Sequence, residues 1–269
     1  MDLTGVAEML APRTRAELPP WRPGTKLLAG GTWLYSEPQP GVDRLIDLAG
    51  FGWPPMVLDA DGLHIAATCT IAELSRFTPP PELSGYDLIQ PCCEALLGSF
   101  KVWNAATVGG NICLALPAGP MTALATALHS VATIWTNDGG TRTMDVAQLV
   151  TGDHQTSLAD GEILRAITLP ISALRRRVAI RRISLTPLGR SAALLIGTRD
   201  RDGRFALTLT AAVPHPIRIE TPELPTPAEL NALVEARVAG DWFHDIHGTP
   251  DWRRHVSLMF ADEIRQELA

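Results

Sequence analysis

The chain has 269 residues, 46% of them hydrophobic and 19% charged, with a formal net charge of −6. That apolar content supports a sizeable core and excludes an intrinsically disordered chain. The acidic balance speaks against a nucleic-acid partner, since phosphate backbones are met by basic surfaces, and no run approaches the roughly 18 apolar residues of a membrane-spanning helix.

The opening stretch, MDLTGVAEMLAPRTRAELPP, has no cationic start before an apolar run, so no secretory signal is expected and the cytoplasm is the expected compartment. The first segment with chemical character is Lys26-Leu27-Leu28-Ala29-Gly30-Gly31-Thr32-Trp33-Leu34, an apolar strand running into paired glycines and a hydroxyl residue. A hairpin is predicted around Asp61-Gly62, followed by a helix opened by the capping box Thr70 to Glu73. The second glycine loop is Ala106-Thr107-Val108-Gly109-Gly110-Asn111-Ile112. Leu124, Leu128 and Val131 then mark a helix over 121–132, and Asp138 to Gly140 a second hairpin. A break is expected near Leu169-Pro170-Ile171, before the arginines 175–177, which are expected to form a solvated face. A third hairpin falls at Asp202-Gly203. Thr226 to Glu229 is a second capping box, with Pro227 in the first turn and Gly240 as the stop. Trp252, Val256, Phe260, Ile264 and Leu268 form one apolar stripe on a final helix. Hairpins mixed with helices indicate an α+β fold rather than a parallel doubly wound one.

The glycine loops carry the chemistry. Without Cβ atoms the backbone turns tightly and presents successive N–H groups to an anion, and two such turns suit a diphosphate. A single Gly-Gly pair more often marks a plain turn. Neither loop has the G-x-G-x-x-G spacing of a Rossmann dinucleotide site, and no G-x-x-x-x-G-K-[ST] phosphate loop is present. Cys69, Cys92, Cys93 and Cys113 lack C-x-x-C or iron–sulfur spacing and are expected to be free thiols. His244, Asp245, His247 and Asp251 lack a matched third ligand at helical spacing, so a metal site is not expected there.

Taken together, the two loops resemble those of the FAD-binding medium subunit of the molybdenum hydroxylases, the xanthine dehydrogenase and carbon monoxide dehydrogenase family. More distantly they resemble flavoproteins of the p-cresol methylhydroxylase type (PCMH-type). LLAGGTWL is similar to that family's AGGTDL loop and FKVWNAATVGGNIC to its RNxATIGGN loop. IAATCTIAEL, VTGDHQTSLADGEILRAITLP, AIRRISL and the closing GTPDWRRHVSLMFADEIRQEL follow in the family's order. The sequence departs from the pattern at Trp33, where an Asp is usual, at Trp103 for an Arg, and at Pro120 for a further Asp.

The resemblance implies a two-lobed PCMH-type FAD-binding domain over 1–170, with lobes of about 1–55 and 56–170, and a small α+β C-terminal domain over 171–269, an antiparallel sheet plus helices. It implies that Lys26, Leu27, Leu28, Ala29, Gly30, Gly31, Thr32, Trp33 and Leu34 wrap the FAD diphosphate. Thr107, Gly109, Gly110 and Asn111 would hold it from the other side, with Leu97, Leu164 and Arg181 near the cofactor and the arginine by the flavin ring. No catalytic residue is expected on this chain. The implied partners are a molybdopterin-binding large subunit and a 2Fe-2S small subunit, in a heterotrimer or its dimer. Electrons would pass from the partner's clusters through FAD to NAD+, oxygen or a quinone. A cofactor-free scaffold, favoured by Trp33, Trp103 and Pro120, and a stand-alone flavin oxidase are the alternatives.

Overall fold

Three principal sheets follow one another along the chain, and the computed structural model describes them over residues 3–269. The first is small and wholly parallel. Strands β1 (Glu8–Leu10), β2 (Thr25–Leu28) and β3 (Arg44–Asp47) lie in the order β1-β3-β2. The long connection that a parallel pair requires is here the first glycine loop, which leaves the carboxyl end of β2.

The second sheet is antiparallel, ordered β4-β5-β10-β6-β7: β4 is Met56–Leu58, β5 Gly62–Ala66, β6 Val131–Trp135, β7 Thr141–Asp145 and β10 Ile163–Pro170. Between β7 and β10, β8 (Val150–Gly152) and β9 (Gln155–Thr156) form a two-stranded ribbon. Short helices α1 (Ile71–Ser75), α2 (Ile89–Ala95), α3 (Phe100–Trp103), α4 (Val108–Leu114), α5 (Pro120–Ala127), α6 (Val146–Leu149) and α7 (Ile171–Leu174) accompany it. Sheet and helices share one core that includes Leu63, Ile65, Ile112, Met121 and Ile167. Cys69, Cys92 and Cys93 are buried in it, and burial pushes the Cys69 and Cys93 thiols up to about 12, out of the nucleophilic range.

The third sheet is a meander of β11 (Arg177–Ile183), β12 (Ala193–Arg199), β13 (Phe205–Thr210) and β14 (Ile217–Thr221). Helices α8 (Pro227–Val238) and α9 (Pro250–Glu267) cover one face, while α5 packs on the other. β12 and β13 are therefore buried on both sides, which explains their near-continuous apolar runs ALLIG and FALTL. Leu195, Leu207 and Leu209 join the core under α8 and α9, whereas Leu194 and Ile196 join the core of the preceding sheet.

The three predicted hairpins form, each by the same device. Asp59 Oδ1 accepts from the amides of Asp61 and Gly62, Asp138 Oδ1 from Gly140, and Asp200 Oδ1 from Asp202 and Arg204. Both capping boxes are present. In the second, Glu229 N donates to Thr226 Oγ1 at 3.3 Å and Thr226 N to Glu229 Oε2 at 2.8 Å. Thr226→Ala is expected to cost about 1 kcal/mol, read as a lower urea midpoint at unchanged slope. The left-handed stop of α8 falls on Ala239, one residue before Gly240.

Two expectations are corrected. The helix predicted over 121–132 ends at Ala127, because His129 turns left-handed at φ 52° and Val131 opens β6 with a β-branched run. Nor are the arginines at 175–177 simply a solvated face. Arg177 donates to the carbonyls of Glu267, Leu268 and Ala269, and Arg176 is half-buried against His129.

His129 sits in the ion network that joins the second and third sheets. Arg218 of β14 reaches Asp145 at 2.6 Å and the carbonyl of Thr126 at 3.1 Å. Arg176 donates to His129 Nε2 at 2.6 Å, which leaves the ring proton on Nδ1, facing Glu220 at 3.5 Å. Burial, followed by the charges of Arg218 and Arg176, lowers the imidazole from 6.5 to about 4, against the opposing pull of Glu220 and Asp145. The unfolded chain thus takes up this proton near pH 6.5 and the folded one only near 4, so stability is lost as pH falls through that window. His129→Gln is expected to flatten the acid limb, with urea midpoints at about pH 7 and about pH 4.5 differing less than in the wild type.

Candidate functional site

A cleft of about 1000 Å³ opens where the two glycine loops, the segment 158–162 and the third sheet's β11–β12 loop meet. Residues 26–34 all line it, as do Leu97, Thr107, Gly109, Gly110, Asn111 and Leu164. The loops face each other closely. A Cβ placed on Gly110 would lie 4.0 Å from the Ala29 methyl, and one on Gly30 would lie 1.7 Å from the Ala105 carbonyl oxygen. Gly30 can be no other residue without moving the loop.

The loops do not contribute alike. Among the described residues, the amides of Gly30, Gly31, Thr32, Trp33 and Leu34 find no protein acceptor, whereas Tyr35 N and Ser36 N close turns onto Gly31 and Trp33. The first loop thus offers a run of unpaired N–H groups, and Gly31 at φ +68° permits the bend that creates it. The second loop opens α4, and its amides are engaged. Val108 N donates to Cys69 O, Gly109 N to Ala67 O, Gly110 N to Thr107 Oγ1 and Asn111 N to Thr107 O. Gly109 is small for packing, since a Cβ there would sit 2.4 Å from that of Ala67. Asn111 Oδ1 accepts from Met121 N at 3.0 Å, leaving its Nδ2 as the donor on that side. The two loops are therefore not two amide cradles: the first carries the free backbone donors, and the second borders the cleft with its amides already engaged and Asn111 Nδ2 as its donor.

Charge supports the same asymmetry. Lys26 and Arg190 line the cleft with no ion-pair partner among the described residues, while Arg22 is held by Asp43 at 2.7 Å. Glu162, also in the wall, is tied to Arg142 at 2.6 Å, and that hydrogen bond holds its carboxyl below the usual range. The unpaired backbone donors and Lys26 fit a dianionic diphosphate, while Arg190 stands at the edge of the cleft.

Arg181 is not among the lining residues. Its guanidinium is gripped by Glu263 and Glu267, each at 2.7 Å, one turn apart on α9. Trp103 is not in the wall either; its indole N–H donates to Leu96 O at 3.0 Å and its ring packs on the core. The cleft instead recruits residues that sequence reasoning passed over, among them Trp21, Gln39, Leu188 and Arg190. Leu188 and Arg190 lie in a Pro- and Gly-containing loop with no pattern to betray them.

Residues 5–172, more than half of the chain, match the family described as FAD binding domain in molybdopterin dehydrogenase. The chain belongs to that family. FAD is accordingly the cofactor of this flavin domain. A 116-residue stretch, 41% of the chain, is 30% identical to xanthine dehydrogenase of Oryza sativa subsp. japonica, and it spans 8% of that protein's length. The fold is shared with solved structures. Carbon monoxide dehydrogenase from Hydrogenophaga pseudoflava superposes with a TM-score of 0.82 at 19% identity, over 98% of this chain and 97% of that one. Quinoline 2-oxidoreductase from Pseudomonas putida 86 gives 0.79 at 17% identity, over 100% and 98%. Among the described residues, no helix is long and apolar enough to cross a membrane.

Proposed function

We propose that this chain is the FAD-carrying electron-transfer subunit of a molybdenum hydroxylase-type oxidoreductase acting in the cytoplasm. A partner large subunit would bind molybdopterin and a small subunit would carry 2Fe-2S clusters. In this reading residues 1–170 form the FAD domain and 171–269 a C-terminal domain whose β11–β12 loop helps close the cleft. The observation that carries it is the run of unpaired amides at residues 30–34 in a loop that lines, with the second glycine loop, a cleft of about 1000 Å³.

Bound FAD supplies the capacity to take electrons one at a time and release them as a pair. The chain's own part is binding and orientation. The amides of residues 30–34 would hold the diphosphate, with Lys26 offsetting its charge and Asn111 Nδ2 donating from the second loop. Leu164, 3% exposed, and the half-exposed Leu97 would keep water from the apolar part of the cofactor. Arg181, locked to α9, takes no part in tuning the ring in this reading.

The chain purified alone is expected to be yellow, with one FAD per chain by absorbance after denaturation. Co-expressed with its neighbouring genes it is expected to co-purify with molybdenum and iron. Flavin reduction by NADH or by the partner subunits, but not by organic substrates offered to the isolated chain, separates this reading from a stand-alone oxidase. A colourless chain that still assembles would make it a scaffold.

A further inference from the structure

A second, smaller cavity of about 160 Å³ adjoins the cofactor cleft. Trp33, Leu116, Ala118 and Arg190 line both spaces, so they form the wall between them. The annex is built at the junction of the chain's two halves: His154 comes from the β8–β9 turn, Ser191 from the β11–β12 loop and Phe243 from the segment before α9. Its size excludes a dinucleotide and suits one six-membered ring with a substituent, since an engineered cavity of about 150 Å³ holds benzene.

The walls suit a planar guest. Trp33 and the His154 imidazole lie 5.9 Å apart at 46°, and Phe243 adds an aromatic face whose ring carries the buried Arg253 guanidinium. The other ionisable side chains of the lining each have a neighbouring polar group. Asp245 is paired with Arg253, and Asp153 lies 3.8 Å from His154 Nε2. Arg190 is the exception, an exposed guanidinium with neither ion pair nor hydrogen bond among the described residues.

We propose that the annex binds a small molecule made of a single planar ring bearing a carbonyl or carboxylate oxygen, with Arg190 donating to that oxygen and Trp33 separating the ring from the cofactor. A guanidinium fork matches such an oxygen in plane, and a ring against Trp33 gains stacking and burial. What lies behind Trp33 rests on the flavin reading; the annex itself is defined by protein walls alone.

Calorimetric titration with benzoate, nicotinamide and duroquinone tests this, with FAD content followed separately by absorbance. At least one probe is expected to bind one-to-one, and Arg190→Gln is expected to weaken it by about tenfold or more, the loss of one charge-assisted hydrogen bond. Trp33→Leu and, should that variant not fold, His154→Ala are expected to weaken it as well, and Arg190→Lys to restore part of what Gln removes. Preference for benzoate would identify the ligand as a carboxylate, and preference for nicotinamide or duroquinone as a neutral carbonyl ring. No binding by any probe, or equal binding to Arg190→Gln and wild type, overturns the proposal. So does parallel loss of FAD and probe in Arg190→Gln, which would assign the arginine to the cofactor. A wild-type chain without flavin that still binds the probe sinks the flavin reading and leaves the annex standing.

Discussion

Gly30→Ala is expected to give a protein that folds but has lost nearly all affinity for FAD. The new methyl would sit 1.7 Å from the Ala105 carbonyl oxygen and 2.6 Å from its carbon, both backbone atoms that no rotamer change can move aside. The loop must lift, and overpacking of this kind costs about 1–3 kcal/mol. Lifting also withdraws the unpaired amides of residues 30–34, and each charge-assisted hydrogen bond to a phosphate is worth about 1.5–3 kcal/mol. Together these predict a dissociation constant raised about 100-fold or more, measured by equilibrium dialysis of the apoprotein against FAD. Gly109→Ala provides the contrast. Its methyl would meet Ala67 at the end of β5, inside the core of the second sheet, so it should lower the melting temperature of the apoprotein itself. A Gly30→Ala protein with a full flavin complement would remove residues 30–34 from the cofactor site.

The difference between those two glycines also marks where the sequence stops being informative. Both loops announce themselves through paired glycines, and the local chemistry of turns and caps made the hairpins and both capping boxes legible. The direction of an N–H group is not local. Gly109 is engaged by Ala67 O and Val108 by Cys69 O, acceptors delivered by a strand end far upstream, so the loop's internal pattern could not show that its amides are taken. Arg181 fails for a similar reason, because its partners Glu263 and Glu267 come from a helix at the other end of the chain. The parallel first sheet escaped notice because β1 has three residues and no turn links it to its neighbour β3. The early end of α5 turns on a non-glycine residue in left-handed conformation, which composition does not forecast. Arg190 belongs to a loop whose neighbours in space are a glycine loop and the β8–β9 turn, a juxtaposition only the assembled sheets create.

Arg253→Met is expected to destabilise the whole chain by about 3–5 kcal/mol, the cost of removing one partner from a buried pair. The side chain is 1% exposed and fully forked. Nε donates to Gly248 O at 3.2 Å, Nη1 to Ala192 O at 2.6 Å and to Ala211 O, and Nη2 to Asp245. One guanidinium therefore ties the first turn of α9 to the 245–248 turn, the entry to β12 and the exit from β13. Burial lowers its pKa and Asp245 opposes that shift, so the carboxylate offsets part of the cost of holding a permanent charge in the interior. Methionine fills the volume but leaves the Ala192 and Ala211 carbonyls without a donor and Asp245, which also accepts from His247 N at 2.8 Å, without its counter-ion. At roughly 2–4 °C per kcal/mol for a chain of this size, the melting temperature should fall by about 10 °C or more. Arg253→Lys should recover little, since an ammonium cannot reach four acceptors in one plane. Arg253→Met combined with Asp245→Asn should recover more, because it removes the stranded charge. Arg254, half-exposed on α9 and paired with the partly buried Glu235 of α8, is the control, and Arg254→Met should cost well under the ~3–5 kcal/mol expected at Arg253, about 1 kcal/mol. Equal effects from the two arginines would show that burial and the forked bonds, not charge on α9 in general, had been misassigned as the source of stability.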